Sequence, residues 1–328
     1  MIQPSDASIA QHAATDDAPV LRVRGLRKAY GELIALDAVD LDIRAGEIFG
    51  LLGPNGAGKS TAISCICGLL KPSGGSIRVR GHDVVARSVE ARRSLGVVPQ
   101  ELALFDDLSG RRNVAYWASA YGLRGSQRRE RVDAILEAVA LIDRADDKVE
   151  TYSGGMKRRL NFACGVVHRP QLLLLDEPTA AVDPQSRRKL LDLVKAQAER
   201  GTSVLYTTHY MEEAQALCDR LAIIDHGRII ADGTLDELRQ RSDERDVLTL
   251  RGTFPDASAQ SLVAALSGVE LIRRDEEALV LALRGAPARL PELLQRFADA
   301  EMTVREVTLA QPNLESLFLR LTGRALRT

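Results

Sequence analysis

Two short strings carry most of the chemistry of this 328-residue chain. The first is GPNGAGKST, Gly53 to Thr61, which follows the apolar run Ile48 to Leu52 and precedes the helix-like stretch Thr61 to Leu70. Glycines at 53, 56 and 58 let the backbone turn its N–H groups inward, and a helix opening behind them adds a dipole that favours negative charge. The chemistry this predicts is a polyphosphate cradle. Lys59 would contact the β- and γ-phosphates and the Ser60 hydroxyl would ligate Mg²⁺, with Pro54, Asn55, Ala57 and Thr61 completing the loop.

The second string is LLLLDEP, Leu172 to Pro178. Four apolar residues put Asp176 at the carboxyl end of a buried strand, the edge where ligands sit in open α/β sheets. Asp176 would reach the metal, through water. Glu177 is placed to accept a proton from a water aligned on the γ-phosphate, or alternatively to cap the sheet edge. His209, just past the apolar run Ser203 to Thr207, is a third candidate. At the same edge it would hydrogen-bond a γ-phosphate oxygen and orient the water; the plainer reading is a structural histidine.

These residues need a sheet to hold them. From Val20 to about Gly233, short apolar runs alternate with longer helical stretches, which predicts parallel strands joined by crossover helices and covered on both faces. Ile48 to Leu52, Leu172 to Leu175, Ser203 to Thr207 and Leu221 to Ile224 read as central strands. Val20 to Val23 and Ser76 to Val79 suit an antiparallel layer, and residues 101–168 read as a helical insertion. Beyond Gly233, the charged run DELRQRSDERD reads as a helix end plus linker, with a boundary near 243. The remainder follows the order strand, helix, strand, strand, helix, strand, the ferredoxin-like split arrangement, closed by a helix over Leu314 to Thr322. Residues 1–18 are expected to be a disordered tail, 19–242 the main domain and 243–328 an accessory α+β domain.

Composition narrows the classes. Lys and Arg number 44 against 45 Asp and Glu, so no surface is built mainly to neutralise nucleic acid, and no nucleic-acid partner is expected. Of the basic residues 37 are Arg, more often a mark of genome composition than of phosphate recognition. Four Cys are too few and too irregular for a disulfide framework and read as small buried residues in a reducing compartment. The N-terminus is not patterned as a signal peptide, and no stretch free of charge approaches the roughly 20 residues needed to span a bilayer. Any membrane role must be borrowed from another chain.

The strings resemble, in order and over about Val20 to Gly233, the nucleotide-binding subunits of ABC transporters. Gln100 is similar to the Q-loop glutamine that touches Mg²⁺ and senses the membrane partner. Ser153-Gly154-Gly155 resembles the LSGGQ signature, Asp183 the D-loop aspartate, and Thr208-His209 the H-loop. Tyr30 sits where the family places the aromatic that stacks on adenine. The resemblance implies a P-loop NTPase fold of ABC ATPase type, ATP and Mg²⁺ as cofactors, and two chains closing head to tail over two ATP molecules. The signature of one chain then completes the phosphate site of the other. It also implies a separate integral-membrane permease, a homodimer or heterodimer of ATPase subunits, and a place at the cytoplasmic face of the membrane. Two departures stand out: the signature reads YSGGM, with Tyr152 and Met156 in place of Leu and Gln, and the D-loop has Ala181 where Gly or Ser is more usual.

The tail PNLESLFLRLTG, Pro312 to Gly323, and the stretch Lys157 to Arg187 resemble ATPases serving type-2 ABC exporters. The plainer reading of the tail is an amphipathic helix packed on the preceding sheet through Leu314, Leu317, Phe318 and Leu321. A soluble ABC ATPase of DNA repair or cluster assembly and a nucleotide-responsive scaffold without turnover are the alternatives. The segment Gln100 to Trp117, with Phe105 and Leu108 exposed, is expected to help form the groove that receives a cytoplasmic helix of the permease, unless Phe105, Tyr116 and Trp117 are ordinary core residues.

Overall fold

The computed structural model describes residues 18–241, 245–275, 277–310 and 317–318. Its elements run β1 (Leu21–Tyr30), β2 (Leu33–Ile43), β3 (Ile48–Leu52), α1 (Lys59–Ile66), β4 (Gly74–Val79), β5 (His82–Asp83), α2 (Ser88–Arg93) and β6 (Leu95–Val98). There follow α3 (Gly110–Ala120), α4 (Gly125–Ala138), α5 (Gly154–Val166), β7 (Leu172–Asp176), α6 (Pro184–Glu199), β8 (Ser203–Thr208), α7 (Met211–Leu217), β9 (Arg220–Asp225) and β10 (Arg228–Thr234). The last part holds α8 (Leu235–Arg241), β11 (Asp246–Thr253), α9 (Asp256–Ala265), β12 (Val269–Arg274), β13 (Ala278–Leu283), α10 (Ala286–Asp299) and β14 (Thr303–Ala310).

The central sheet has the order β10-β9-β3-β8-β7-β6, parallel except for β10, which returns antiparallel to β9. Strands β3, β7 and β8 are buried at every position because both faces are covered, and the two-residue period divides their side chains between two cores. Leu173 and Leu175 of β7, Val204 and Tyr206 of β8 and Leu221 and Ile223 of β9 pack on the side of the helical insertion. Leu172, Leu174, Leu205, Ala222 and Ile224 alternate with them and pack with α1 and the antiparallel sheet β2-β1-β4-β5. The sequence reading of the antiparallel layer omits β2, whose alternation is broken by register shifts against β1 between Val23 and Ala29.

Between β6 and β7 the chain is helical in α3, α4 and α5. Beyond β10 a third sheet, β12-β13-β11-β14, antiparallel in every pair, packs its Leu248, Leu279, Leu281 and Leu283 against α9 and α10 as a separate core. The tail departs from expectation. Leu317 and Phe318 pack not on this last sheet but in the core of the helical insertion and central sheet, with Leu238 of α8. Leu314 and Leu321 lie outside the described residues.

Candidate functional site

The loop between β3 and α1 is locked from below by contacts that admit no side chain. Gly58 has φ +108°, and a Cβ there would stand 2.7 Å from the Ala35 carbonyl oxygen and 2.8 Å from Leu36 Cδ2. At Gly53 a Cβ would stand 2.3 Å from the carbonyl oxygen of Ile224. Gly53 N–H donates to Thr208 O and Gly227 N–H to Ala57 O, so the loop is stitched to the ends of β8 and β9. Lys59 heads α1 yet is only 4% exposed. Its ammonium donates to Gly53 O at 2.6 Å and Pro54 O at 2.9 Å, which holds the lysine across its own loop. Ser60 is exposed and Thr61 half-buried at the helix start, and Asn55 and Gly56 are exposed at the loop tip.

The third partner of Lys59 is Glu177, Nζ to Oε1 3.0 Å. The other oxygen, Oε2, lies 2.9 Å from His209 Nδ1, and the glutamate is 6% exposed. Glu177 has φ +43°, a left-handed backbone that a non-glycine residue holds only when its surroundings impose it. Thr207 imposes part of it: its hydroxyl accepts from Glu177 N–H at 3.0 Å and donates to Asp176 Oδ1 at 2.8 Å. Asp176, Glu177, His209 and Lys59 therefore meet at one end of the parallel sheet, as the strings predict. Thr207 escapes a sequence reading because it lies within a mostly apolar strand and is brought beside Asp176 only by the pairing of β8 with β7.

Gln100 and Asp183 lie on the segments that follow β6 and β7, Ser153 is the N-cap of α5 and Gly154 and Gly155 open that helix; all are exposed or half-buried. Ser153 caps α5, its Oγ accepting from Met156 N–H, and Asp183 caps α6 by accepting from Ser186 N–H at 2.9 Å. A hydrogen bond from the Ser186 side chain, with that from the Ser186 backbone N–H, holds the Asp183 carboxyl below its ordinary range. A Cβ on Gly155 would fall 2.3 Å from Ser186 Oγ, so the N-termini of α5 and α6 abut. Arg158, on the second turn of α5, donates to the carbonyls of both Gln100 and Ala180, the latter at 3.1 Å. It joins three of the predicted segments and is itself a residue that sequence reasoning missed, since KRR reads as a solvated basic face.

The departures from the signature are packing choices. Tyr152 is buried, donates its hydroxyl to Arg144 O and rests against Gly110, while Met156 packs on the core of the helical insertion. Tyr30 is exposed at the tip of the β1–β2 hairpin with Lys28 Nζ 4.9 Å from its ring centroid.

The description "ABC transporter" matches residues 36–180. The linearmycin resistance ATP-binding protein LnrL of Bacillus subtilis is 40% identical over 310 residues, covering 94% of this chain and all of LnrL. This chain belongs to the ABC transporter family. The Nod factor export ATP-binding protein I of Cupriavidus metallidurans is 38% identical over 308 residues, 94% of this chain and 99% of that protein. The solved dimer of the ATP-binding cassette MJ0796, in a post-hydrolysis state with ADP and Pi, matches this ABC protein with TM-score 0.60 and 28% identity, over 66% of this chain and 98% of that one. The protein is an ABC-type ATPase. Among the described residues no helix is long and apolar enough to cross a membrane.

Proposed function

We propose that the chain is the ATP-hydrolysing subunit of an exporter, closing head to tail with a second ATPase subunit over two ATP molecules and driving a separate membrane permease at the cytoplasmic face. The observation that carries this reading is the placement of Glu177 between Lys59 Nζ and His209 Nδ1 at the edge beside the glycine loop. Lys59 engages the β- and γ-phosphates. A γ-phosphate competes with Glu177 for the lysine ammonium, which frees the carboxylate to take a proton from the attacking water while His209 orients that water. Tyr30 offers a ring face to adenine. Ser153, Gly154 and Gly155, with Asp183, face the γ-phosphate bound by the partner subunit, where the N-terminus of α5 favours the anion.

The donor set fits Mg²⁺. Ser60 hydroxyl, Asp176 carboxylate and Gln100 amide are all hard oxygen ligands, and Thr207 fixes the Asp176 plane through Oδ1 alone. When bound, the ion supplies charge neutralisation on the phosphates.

The permease has a fitting surface. An apolar groove of about 410 Å³, lined among others by Leu69, Val97, Ala103, Trp117 and Tyr121, opens between the central sheet and the helical insertion. Leu69 is 77% exposed at its rim, and Phe105 and Tyr116 stand exposed nearby in an edge-to-face pair. Of the two residues expected to be exposed, Phe105 is and Leu108 is half-buried; Trp117 packs against the core, whereas Tyr116, weighed with it as a core residue, is exposed, and we assign docking to Phe105 and Tyr116. An amphipathic cytoplasmic helix is the occupant we assign. The names of LnrL and the Nod factor exporter support an export role, and the MJ0796 dimer supports pairing. The same reading divides the chain at about 243 into the ATPase domain and an accessory domain with its own core.

ATP hydrolysis by the purified chain, with co-purification of a multispan membrane protein from its own host, tests the proposal. ATP turnover with no membrane partner would favour the soluble ABC ATPase; no turnover would favour the scaffold.

A further inference from the structure

Beneath the Glu177–His209 pair lies a carboxylate that the reading above leaves unused. Glu213, on α7, is 3% exposed and surrounded by donors. Its Oε1 accepts from Thr179 Oγ1 at 2.7 Å, and its Oε2 from Tyr206 hydroxyl at 2.8 Å and Thr208 Oγ1 at 2.9 Å. Arg187 Nε, on α6, stands 3.4 Å from Oε1 without the alignment of a hydrogen bond, and its guanidinium lies 4.6 Å from the Tyr210 ring centroid. Burial and the adjacent carboxylate raise the Tyr206 phenol well above its ordinary range, so it serves as a donor.

The positions of these donors are the point. Thr179 lies two residues beyond Glu177, in the turn closed by Ala180 N–H on Glu177 O. Thr208 directly precedes His209, and its hydroxyl also accepts from Tyr210 N–H at 2.9 Å. Arg187 N–H bonds Asp183 O in the first turn of α6. One carboxylate thus holds the hydroxyl side chains of a residue just after Glu177 and of the residue just before His209, and it faces the helix that follows Asp183. A buried ion is a poor stabiliser compared with an apolar side chain of similar size. Its use here is geometric.

We propose that Glu213 is a positioning residue for ATP turnover: it fixes the separation of Glu177 and His209 and links that separation to α6. The proposal rests on the reading of Glu177 as the base, and the Glu177→Gln variant separates the two. If Glu177→Gln turns over ATP like wild type, the reading of Glu177 has failed; if Glu177→Gln is impaired and the Glu213 variants are not, this proposal has failed.

The test uses the full chain with Glu213→Ala, Glu213→Gln, Thr208→Val and Thr208→Ser, measuring kcat, KM, affinity for a fluorescent ATP analogue and circular dichroism. Glu213→Ala is expected to lose roughly 10- to 100-fold in kcat, the scale of a reacting group misplaced by about an ångström, while analogue affinity stays within about twofold. Glu213→Gln, which keeps the reach and one acceptor oxygen, is expected to recover at least about a third of wild-type kcat. Thr208→Val, with one link cut, should lower kcat without altering affinity, and Thr208→Ser should restore it. Should Glu213→Ala fail to fold, the Thr208 pair decides alone. Wild-type kcat in Thr208→Val, equal kcat in folded Glu213→Ala and Glu213→Gln, or a kcat loss matched by lost affinity overturns the proposal.

Discussion

Lys59 Nζ and Glu177 Oε1 lie 3.0 Å apart, both side chains buried. An ion pair taken out of water holds only while both members remain, since breaking one leaves a charge without compensation, at a cost of about 3–5 kcal/mol. The lysine here also has two carbonyl acceptors; among the described residues the glutamate side chain has only Lys59 and His209. Removing the two residues should therefore have different consequences.

Glu177→Gln is expected to bind ATP with near-wild-type affinity and lose roughly 10²- to 10⁴-fold in turnover, giving a long-lived dimer in ATP. Lys59→Ala should instead lose at least about tenfold in affinity, because the phosphate contact itself is gone. Analogue titration, phosphate release and gel filtration in ATP distinguish the two. Near-wild-type turnover in Glu177→Gln would remove that residue from the role of base.

Gly58→Ala should destabilise the protein by roughly 2–3 kcal/mol, since the new methyl meets the Ala35 carbonyl in a backbone conformation that L-residues rarely adopt. Gly56→Ala is the control: φ is +82°, but nothing lies within 4 Å of a Cβ, so only the conformational cost of about 1 kcal/mol applies. Urea denaturation of the two variants reads the difference. Equal losses would show that the close approach to Ala35 is not what fixes the glycine.

Ala181 is held at φ +58° in the exposed turn before α6. A left-handed alanine costs about 1–2 kcal/mol, of which glycine recovers part after its larger unfolded-state entropy is counted. Ala181→Gly should raise stability by up to about 1 kcal/mol, and Ala181→Val should lower it by roughly 1–2 kcal/mol. Thermal melts check both, and a Val variant as stable as wild type would refute the strain.

His168 is stacked on Tyr121 at 3.4 Å between ring centroids, with Nε2 2.8 Å from Leu95 O and Nδ1 buried without a partner. Burial lowers its pKa from 6.5 to about 4. The unfolded chain therefore takes up a proton first as pH falls, so the stability contribution is intact above about pH 6.5 and is lost progressively toward pH 4. Between pH 7 and pH 5 wild type should lose about 2 kcal/mol through this residue. His168→Gln should flatten that slope in urea denaturation even though its absolute stability falls. An unchanged slope would mean that His168 is not the group responsible.

What could be read in advance was what is local. Gly53 to Thr61 and Leu172 to Glu177 are contiguous strings whose chemistry survives without tertiary context, and strands covered on both faces announce themselves as unbroken apolar runs. Strand β2 was missed because Leu33–Ile43 alternates imperfectly through its bulges. Thr207, Arg158 and Glu213 act through partners 22 to 58 residues away, apart from the nearby bonds of Glu213 to Tyr206 and Thr208. No spacing rule registers such pairs. Phe318 was assigned the wrong core because helical periodicity says which residues are buried, not against what.

The contact between Gly155 and Ser186 leaves no slack between the N-termini of α5 and α6. In the proposed pair, α5 points at the neighbour's nucleotide while α6 follows the chain's own Glu177. A step at one site then moves the tip that serves the other, so each chain reports its own progress to its neighbour through a rigid joint. In such a pair, two chemically identical sites would not act independently.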